Sequence, residues 1–336
     1  MNKKLLAIAV GAAVAFPAVA LADGPTVYGK MNVTLEMNSV DPSPAAPDND
    51  SEWVLDSNAS RLGVKGGYDL EVGNLQAIYQ AEYQIDVDNG GGAPFSQRNI
   101  FAGLKGGFGT LMAGKFDTPM KTSQGKVDQF NDLDGDISSF MTGDERANNI
   151  IQYSSPKLAD AFTINAAFIP NEDQDDFDGD GENQNGLADT ISLSVVYETD
   201  SLYVALAQDM DNAYESLDAD STSATSPIDI TRLTGAFKVD AFELGAIYQM
   251  ASESEADGEE TSLLLSGAFK MDRVKLKLQY GMTEGDQSEE ELTSLSFGAD
   301  YKLAKASKVF AYYTVNEADL AATEETFLAV GMEHKF

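Results

Sequence analysis

Hydrophobic and polar residues alternate with a period of two along most of the sequence after residue 22. Clear examples span 27–36, 191–197, 242–248, 273–280 and 295–301. In the first, an apolar row opposes a mostly polar one: Val27, Gly29, Met31, Val33 and Leu35 against Tyr28, Lys30, Asn32, Thr34 and Glu36. Because successive side chains of a β-strand point to opposite faces, the sequence predicts an all-β chain whose strands have one apolar face.

The apolar faces often end in an aromatic residue, as at Tyr248, Tyr280 and Tyr301. Such an aromatic girdle is typical of outer-membrane barrels at the lipid interface. After residue 22, acidic or polar residues interrupt every apolar run, so the sequence predicts no transmembrane helix there. Lipid offers backbone groups no hydrogen-bond partners, and a chain of this kind can therefore span a membrane only as a closed barrel.

Short and long connections alternate between the predicted strands. Short links lie at 199–201, 238–242, 270–273 and 303–307. Longer polar links lie at 38–52, 87–96, 117–145, 170–189, 209–229, 251–261, 283–292 and 316–325. These breaks leave about 16 strands, an even number as bacterial outer-membrane barrels require. We predict one transmembrane antiparallel β-barrel of about 16 strands over residues 23–336.

Charge follows the same division between short and long links. Basic residues cluster at the short links, namely Lys157, Lys238, Lys270, Arg273, Lys302 and Lys305, whereas 172–182 is an acidic run in a long link. The chain has 22 Lys and Arg against 55 Asp and Glu, a formal net charge of −33. This charge argues against nucleic acid as a partner. A secreted acidic β-protein, such as an adhesin, stays open as an alternative, although it would not need regularly alternating links.

The scarcity of cysteine and histidine limits the chemistry available. There is no cysteine, which excludes thiol catalysis, disulfides and cysteine-ligated metals. The only histidine is His334. It shares the apolar parity of the last strand with Val330 and Phe336, so a barrel enzyme with a histidine-activated serine is disfavoured. We predict that the protein is not an enzyme.

The first 22 residues have the features of a secretory signal peptide. Lys3 and Lys4 form a basic start, an apolar run follows, and Ala20 and Ala22 provide small residues at the cleavage positions. The apolar run is short for a membrane anchor and contains Pro17. We therefore predict export and cleavage before Asp23.

Several short motifs occur in a characteristic order and spacing. They lie at 27–30, 60–66, 101–105, 107–110, 114–119, 143–149, 153–156 and 331–336. Together they resemble the trimeric general-diffusion porins of Gram-negative bacteria, most strongly in 23–160 and at the end of the chain. The resemblance implies a homotrimer in the outer membrane, in contact with lipid and lipopolysaccharide, that passes ions and small hydrophilic solutes.

The resemblance also implies a pore constriction. The family folds its third long loop inward, and here that loop is 117–145. By motif position, the basic side chains on the facing barrel wall would be Arg61, Arg98 and Arg146. The loop would supply the acids Asp128, Asp132, Asp134 and Asp136. Opposite charges across a water-filled constriction create a transverse field that orients solutes and biases ion passage.

The alternation tests the three arginines independently. Arg61 and Arg146 fall on polar faces. Arg98, however, shares its parity with Ile100 and Leu104, so only a β-bulge or a position above the lipid band would reconcile it with a pore. Each arginine also has a simpler interpretation as a solvated charge at the rim.

Other lumen-facing charges follow from parity: Lys30, Glu36, Lys275 and Lys277. Because these charges have mixed signs, they do not point to any particular solute. A substrate-preferring porin of the same fold stays open as an alternative. Where the family often carries a second basic residue near Arg146, this chain has Gln152. Together with the acid surplus, this departure favours a preference for cations.

One acidic segment matches the first half of a calcium-binding loop. Asp176, Asp178 and Asp180 have the required spacing, and a glycine follows. The twelfth position should be a bidentate Glu but is Leu187. The segment is either a Ca²⁺ site or a solvated loop tip. A related hypothesis is that Ca²⁺ or Mg²⁺ bridges the outer loops to lipopolysaccharide; no other cofactor is predicted.

Overall fold

The computed structural model describes residues 23–41, 50–88, 95–170, 186–219, 226–288, 290–319 and 323–336. The predicted signal peptide lies outside these residues, as do Asp176, Asp178 and Asp180 of the predicted calcium loop.

The described residues form seventeen β-strands in one antiparallel sheet. Their bounds are β1 (Asp23–Asp41), β2 (Asp50–Ser57), β3 (Arg61–Asp69), β4 (Gln76–Ile85), β5 (Phe95–Gly106), β6 (Gly109–Asp117), β7 (Arg146–Ser154), β8 (Phe162–Ile169), β9 (Thr190–Glu198), β10 (Leu202–Asn212), β11 (Ile228–Val239), β12 (Phe242–Glu253), β13 (Glu259–Met271), β14 (Val274–Gly285), β15 (Glu291–Ala304), β16 (Ser307–Ala318) and β17 (Thr323–Lys335). Residues 30–41 of β1 pair with β17, and this pairing closes the sheet into a barrel.

β2 and β3 form a single barrel strand, because β1 pairs with β2 along 33–40 and with β3 along 23–30. The interruption at residues 58–60 is stabilised from β1. Asn58 donates a side-chain hydrogen bond to Thr34 Oγ1 (2.8 Å), and Ser60 Oγ accepts one from the backbone N–H of Asn32 (2.9 Å). The barrel therefore has sixteen strands, which confirms the predicted number.

The burial pattern is inverted relative to a water-soluble protein. On β14, Leu278 is 56% exposed on the outer face, whereas its neighbour Gln279 is 2% exposed on the inner face. The first strand repeats this pattern, with Val27 and Leu35 exposed and Thr34 buried. A polar interior and an apolar exterior are what a lipid-embedded barrel requires.

Two-residue hairpins close one rim of the barrel. Val239 pairs with Phe242, and Met271 pairs with Val274. Asp240 and Asp272 begin these turns with φ angles of 48° and 51°. Aspartate tolerates this left-handed conformation, which tight hairpins need to match strand twist. The longer connections lie at the opposite rim.

The connection between β6 and β7, residues 118–145, is here called the interior segment. It contains a one-turn helix α1 (Pro119–Thr122) and a 3₁₀ helix (Ile137–Ser139). Within the described ranges, no helix has the length and hydropathy needed to cross a bilayer.

The interior segment contacts the inner faces of strands around most of the barrel. Ser192 of β9 receives a hydrogen bond from the Met120 N–H (3.2 Å), and Ser266 of β13 donates one to the Val127 carbonyl (2.6 Å). Gln279 of β14 donates to the Gly135 carbonyl (2.8 Å). Apolar side chains of the segment also pack on the wall, with Val127, Ile137, Phe140 and Met141 against Ile247 and Leu264. The segment therefore lies inside the barrel.

Candidate functional site

Asp132 joins the interior segment to the basic side of the barrel wall. Its Oδ2 accepts from Lys30 Nζ on β1 (2.5 Å) and from Arg61 Nη2 at the start of β3 (2.8 Å). Burial alone would raise the pKa of Asp132, but Lys30 and Arg61 hold the pKa below its ordinary value. The carboxylate is therefore ionised at neutral pH and faces two cations.

Glu82 on β4 extends this charged cluster along the wall. Its Oε1 lies 3.0 Å from Arg98 Nε and 3.8 Å from Arg61 Nη1, and its Oε2 accepts from the Tyr28 hydroxyl (3.0 Å). We call Lys30, Arg61 and Arg98 the basic wall. Its three cations share two carboxylates, Glu82 and Asp132.

Arg98 reaches the lumen because β5 has a bulge. Ala81 of β4 pairs with Ile100, whereas Tyr83 pairs with Gln97, so one residue on β4, Glu82, faces two on β5, Arg98 and Asn99. The extra residue reverses the parity below Ile100. The alternation allowed either a β-bulge or a position above the lipid band for Arg98, and the structure has the bulge.

Arg146, the third predicted arginine, has different partners. Its Nη2 lies 2.8 Å from Asp117 Oδ1, and its Nε donates to Asn99 Oδ1 (2.7 Å). Asn99 in turn donates to the other oxygen of Asp117 (2.9 Å). The structure thus pairs Arg146 with the carboxylate at the end of β6, beside the basic wall.

The four predicted loop acids divide into two pairs. Asp132 contacts the basic wall, and Asp134 Oδ2 lies 2.6 Å from the Tyr312 hydroxyl of β16. That hydroxyl is also 3.1 Å from Glu36 Oε2. Burial raises the pKa of the Asp134 carboxyl, and the hydrogen bond from Tyr312 opposes the rise.

The other two acids, Asp128 and Asp136, shape the interior segment itself. Asp128 accepts from the backbone N–H groups of Phe130 (2.8 Å) and Ile137 (3.1 Å). Asp136 caps the 3₁₀ helix by accepting from Ser138 N–H (3.0 Å), and it also accepts from the Asp132 N–H (2.6 Å). The structure thus uses these carboxylates as turn and cap residues and brings neither to an arginine.

The remaining predicted lumen residues lie on the inner face. Lys30 and Glu36 are buried there on β1. Lys277 contacts Asp300 (3.2 Å) and donates to the Gln129 carbonyl of the interior segment (3.0 Å). Lys275 contacts Glu243 (3.0 Å).

His334 lies on the outer face of β17, as its parity predicts. It is exposed, its Nδ1 is 2.8 Å from Ser307 Oγ, and its ring stacks on Phe336. Within the described ranges, no group of three or more histidine, aspartate or glutamate side chains is arranged to hold a metal ion.

Arg232 is a functional candidate that the sequence analysis missed. It is 0% exposed on β11, where it donates to Gln249 Oε1 (2.7 Å). Its Nη2 also donates to the Thr142 carbonyl (2.7 Å) and its Nη1 to the Met120 carbonyl (3.4 Å). One guanidinium therefore fastens both ends of the interior segment to the wall. The available signal was an arginine on the polar parity of a strand, next to the outward-facing Leu233.

A sequence model of the Gram-negative porin family matches residues 7–320. The chain belongs to the Gram-negative porin family. This membership confirms the predicted outer-membrane location. Since porins are channels, it also confirms the prediction that the protein is not an enzyme.

Two curated relatives show how far the sequence likeness extends. The major outer membrane protein P.IB of Neisseria sicca is 32% identical over 182 residues, or 51% of this porin and 48% of that protein. The P.IA protein of Neisseria meningitidis serogroup C is 27% identical over 186 residues, or 51% and 46%. The porin thus spans about half the length of the curated relatives it matches.

Solved structures agree on the fold. The anion-selective porin from Comamonas acidovorans superposes with a TM-score of 0.69 at 18% identity and covers 93% of this porin and 99% of that chain. The trimer form of in-vitro folded OmpT from Vibrio cholerae gives 0.66 at 20% identity, with 94% and 100% covered. At these identities the likeness concerns the fold alone.

Proposed function

We propose that this porin forms a water-filled pore through which ions and small hydrophilic solutes diffuse passively across the outer membrane. The observation that carries the proposal is the pairing of Asp132, on a segment inside the barrel, with Lys30 and Arg61 on the wall. A polar cavity of about 470 Å³ adjoins this pairing and is lined by residues that include Arg61, Glu82 and Asp132. Such a charged, wet passage suits hydrated solutes and penalises apolar ones.

The proposed constriction is bordered by the basic wall and by the interior segment where that segment contacts the wall. Lys30, Arg61 and Arg98 belong to the wall, and Asp132 and Asp134 belong to the segment. Because the charges have opposite signs, a transverse field acts on a dipolar solute that passes beside them and turns it to align.

We also propose a modest preference for cations. Around the constriction, five carboxylates accompany four cations: Glu36, Glu82, Asp117, Asp132 and Asp134 against Lys30, Arg61, Arg98 and Arg146. The acid surplus of the whole chain acts in the same direction. The Comamonas porin is anion-selective, so the sign of the preference here must come from the charges of this chain itself.

We propose a homotrimer, which the trimer form of Vibrio OmpT supports. On the outer face, β15 to β17, β1 and β2 border an apolar groove of about 690 Å³. Its lining includes Val33, Leu35, Leu55, Val309 and Val330. A second copy would cover this groove, while the rest of the apolar exterior contacts lipid. The outer loops would meet lipopolysaccharide through Ca²⁺ or Mg²⁺, and retention of lipopolysaccharide after chelation would count against that bridge.

Liposome swelling tests the pore and its preference together. Proteoliposomes should swell in isotonic arabinose, more slowly in disaccharides, and faster with glucosamine than with gluconate, which has a similar size and the opposite charge. Liposomes with heat-denatured protein are the control. A folded barrel that produces no swelling would overturn the pore, and faster entry of gluconate would overturn only the cation preference.

A further inference from the structure

The mouth of the barrel at the two-residue hairpins carries a dense group of cations. A cavity of about 400 Å³ there is lined by six lysines and one arginine against three acids, Asp272, Asp300 and Glu333. The basic residues come from the turn ends of β13 to β17. We call this cavity the cationic vestibule. Its charge is opposite in sign to that of the chain as a whole.

The ion pairs in this region leave a surplus of positive charge. Lys270 and Lys275 both contact the single carboxylate of Glu243. In the same way, Lys277 and Lys308 share Asp300, at 3.2 and 3.0 Å. Each set of two ammonium groups and one carboxylate retains one positive charge.

Three further cations add to this surplus. Arg273, Lys302 and Lys305 are exposed at the hairpins and line the same cavity. By strand parity, Arg273 and Lys302 belong to the inner faces, beside Lys275 and Asp300. The vestibule is also continuous with the pore interior, because Lys270, Lys275 and Lys308 line a second cavity that reaches the interior segment at Gln129.

The opposite rim of the barrel carries acidic residues on its outer face. A groove of about 470 Å³ at the long-connection ends of β11 to β14 is lined by five acids: Asp229, Glu259, Glu260, Glu284 and Asp286. Its described lining includes no lysine or arginine, and Thr231, Met250 and Glu284 in it have the outward parity of Leu233, Tyr248 and Leu278. The lining cations are therefore concentrated at the hairpin end of the barrel. Short turns face the periplasm in outer-membrane barrels, so the cationic vestibule lies on the periplasmic side.

We propose that the cationic vestibule is a binding site for small multivalent anions of the oligophosphate or polycarboxylate class. The inference rests on the proposed pore function. Clustered cations with low-dielectric walls focus the field and raise the local concentration of such anions. Farther in, Asp134 and Glu36 oppose their passage. A multivalent anion thus binds at the mouth and obstructs the flow of monovalent ions instead of crossing.

The one-sided position of the cationic vestibule makes the open pore rectify. One voltage polarity drives anions from the cationic vestibule into the pore, and the reverse polarity depletes them. Because the Debye length falls from about 30 Å at 0.01 M to about 3 Å at 1 M salt, rectification is strongest at low ionic strength.

One-sided addition of pyrophosphate to single channels in a planar bilayer tests the site. The chain has no cysteine, so an Asp257→Cys variant, labelled in the loop between β12 and β13 with an impermeant thiol reagent, reports orientation. We expect half-block from the hairpin side at a concentration at least about tenfold lower than from the loop side. Equal sensitivity from both sides would overturn the proposal.

A triple variant separates the site from general charge effects. Arg273→Gln with Lys302→Gln and Lys305→Gln should raise the blocking concentration about tenfold, since each exposed cation contributes modestly. Lys65→Gln with Lys105→Gln and Lys157→Gln is the matched control, because these residues are exposed, carry the same charge and lie outside the vestibule. An unchanged block in the first triple variant would contradict the assignment.

Calorimetry measures anion binding at the cationic vestibule without relying on conduction through the pore. Pyrophosphate titrated into the detergent-solubilised protein should bind the native chain and the control variant, and bind the vestibule variant about tenfold more weakly. A folded barrel that binds pyrophosphate but never conducts would overturn the proposed pore and retain the site. A conducting barrel without binding would overturn the site alone.

Discussion

Arg61 Nη2 lies 2.8 Å from Asp132 Oδ2, which joins the second strand of the barrel to a segment 71 residues later in the chain. The pairing holds the interior segment against the barrel wall and brings opposite charges into direct contact. It is also a sensitive point for mutation, because Lys30 contacts the same oxygen. Removing the carboxylate leaves two cations facing the pore together.

Asp132→Asn should shift ion selectivity towards anions. Loss of about 1 kcal/mol of interaction with each passing cation, the value for charges about 4 Å apart in water, lowers the potassium-to-chloride permeability ratio about fivefold. Reversal potentials in a potassium chloride gradient measure this ratio. Asp86→Asn, which removes an equal charge from an exposed position, should leave it close to the native value. Equal shifts in both variants would contradict the local role of Asp132.

Arg232→Met should loosen the interior segment. It removes one donor each from the carbonyls of Met120 and Thr142, which keep hydrogen bonds from Ser123 and Gln249. It also leaves the buried Gln249 Oε1 without its donor, a loss of about 1–3 kcal/mol. We expect larger current fluctuations and a lower temperature for the heat-induced mobility shift in gel electrophoresis. Lys238→Met, on the same strand but exposed, is the matched control. Quiet channels with native heat resistance in Arg232→Met would show that other contacts hold the segment.

Gly281→Val should displace Phe140. Gly281 has no side chain on the inner face of β14, and the Phe140 ring occupies the position that a β-carbon would take. The added side chain should cost about 1–3 kcal/mol through overpacking. Gly235→Val is the control because nothing lies within 4 Å of its β-carbon position. The unfolding temperature in detergent is the readout, and equal values for the two variants would argue against close packing at Phe140.

Glu215 should make barrel stability decrease as the pH rises. Burial raises the pKa of Glu215 to about 8, well above its ordinary 4.5. Between these values the unfolded chain ionises while the folded one keeps the proton, so the folded state loses stability from pH 4.5 towards about 8. Glu215→Gln still offers an oxygen to the Gly143 N–H and should weaken this dependence.

Thermal unfolding between pH 5 and 8 measures the Glu215 effect. Glu317→Gln, at an exposed site, should retain the native pH dependence. If Glu215→Gln and the native protein lose stability in parallel over this range, Glu215 is not the titrating group.

Much of the fold could be predicted because lipid requires each strand to alternate outward apolar residues with inward polar ones. Residues 27–37 of β1 and 274–283 of β14 alternate without interruption, so their faces follow from parity alone. The same rule misplaces Arg98, since one extra residue in β5 reverses the parity and nothing in the local sequence marks it.

The site was harder to predict because the partners of its side chains depend on how the interior segment folds. Asp128 and Asp136 have the same residue type as Asp132, yet they accept hydrogen bonds from local backbone N–H groups, whereas Asp132 contacts Arg61 on the barrel wall. Which acid remains available depends on how the interior segment turns. The role of Arg232 likewise depends on carbonyl groups at Met120 and Thr142, about 90 or more positions away in the chain.

Single-channel current from the detergent-purified native protein, in a planar bilayer with a potassium chloride gradient, tests the proposed pore most directly. We expect large stepwise currents in groups of three, with a reversal potential of the sign that cation preference gives. A folded, heat-modifiable barrel that carries no current would contradict the proposed pore.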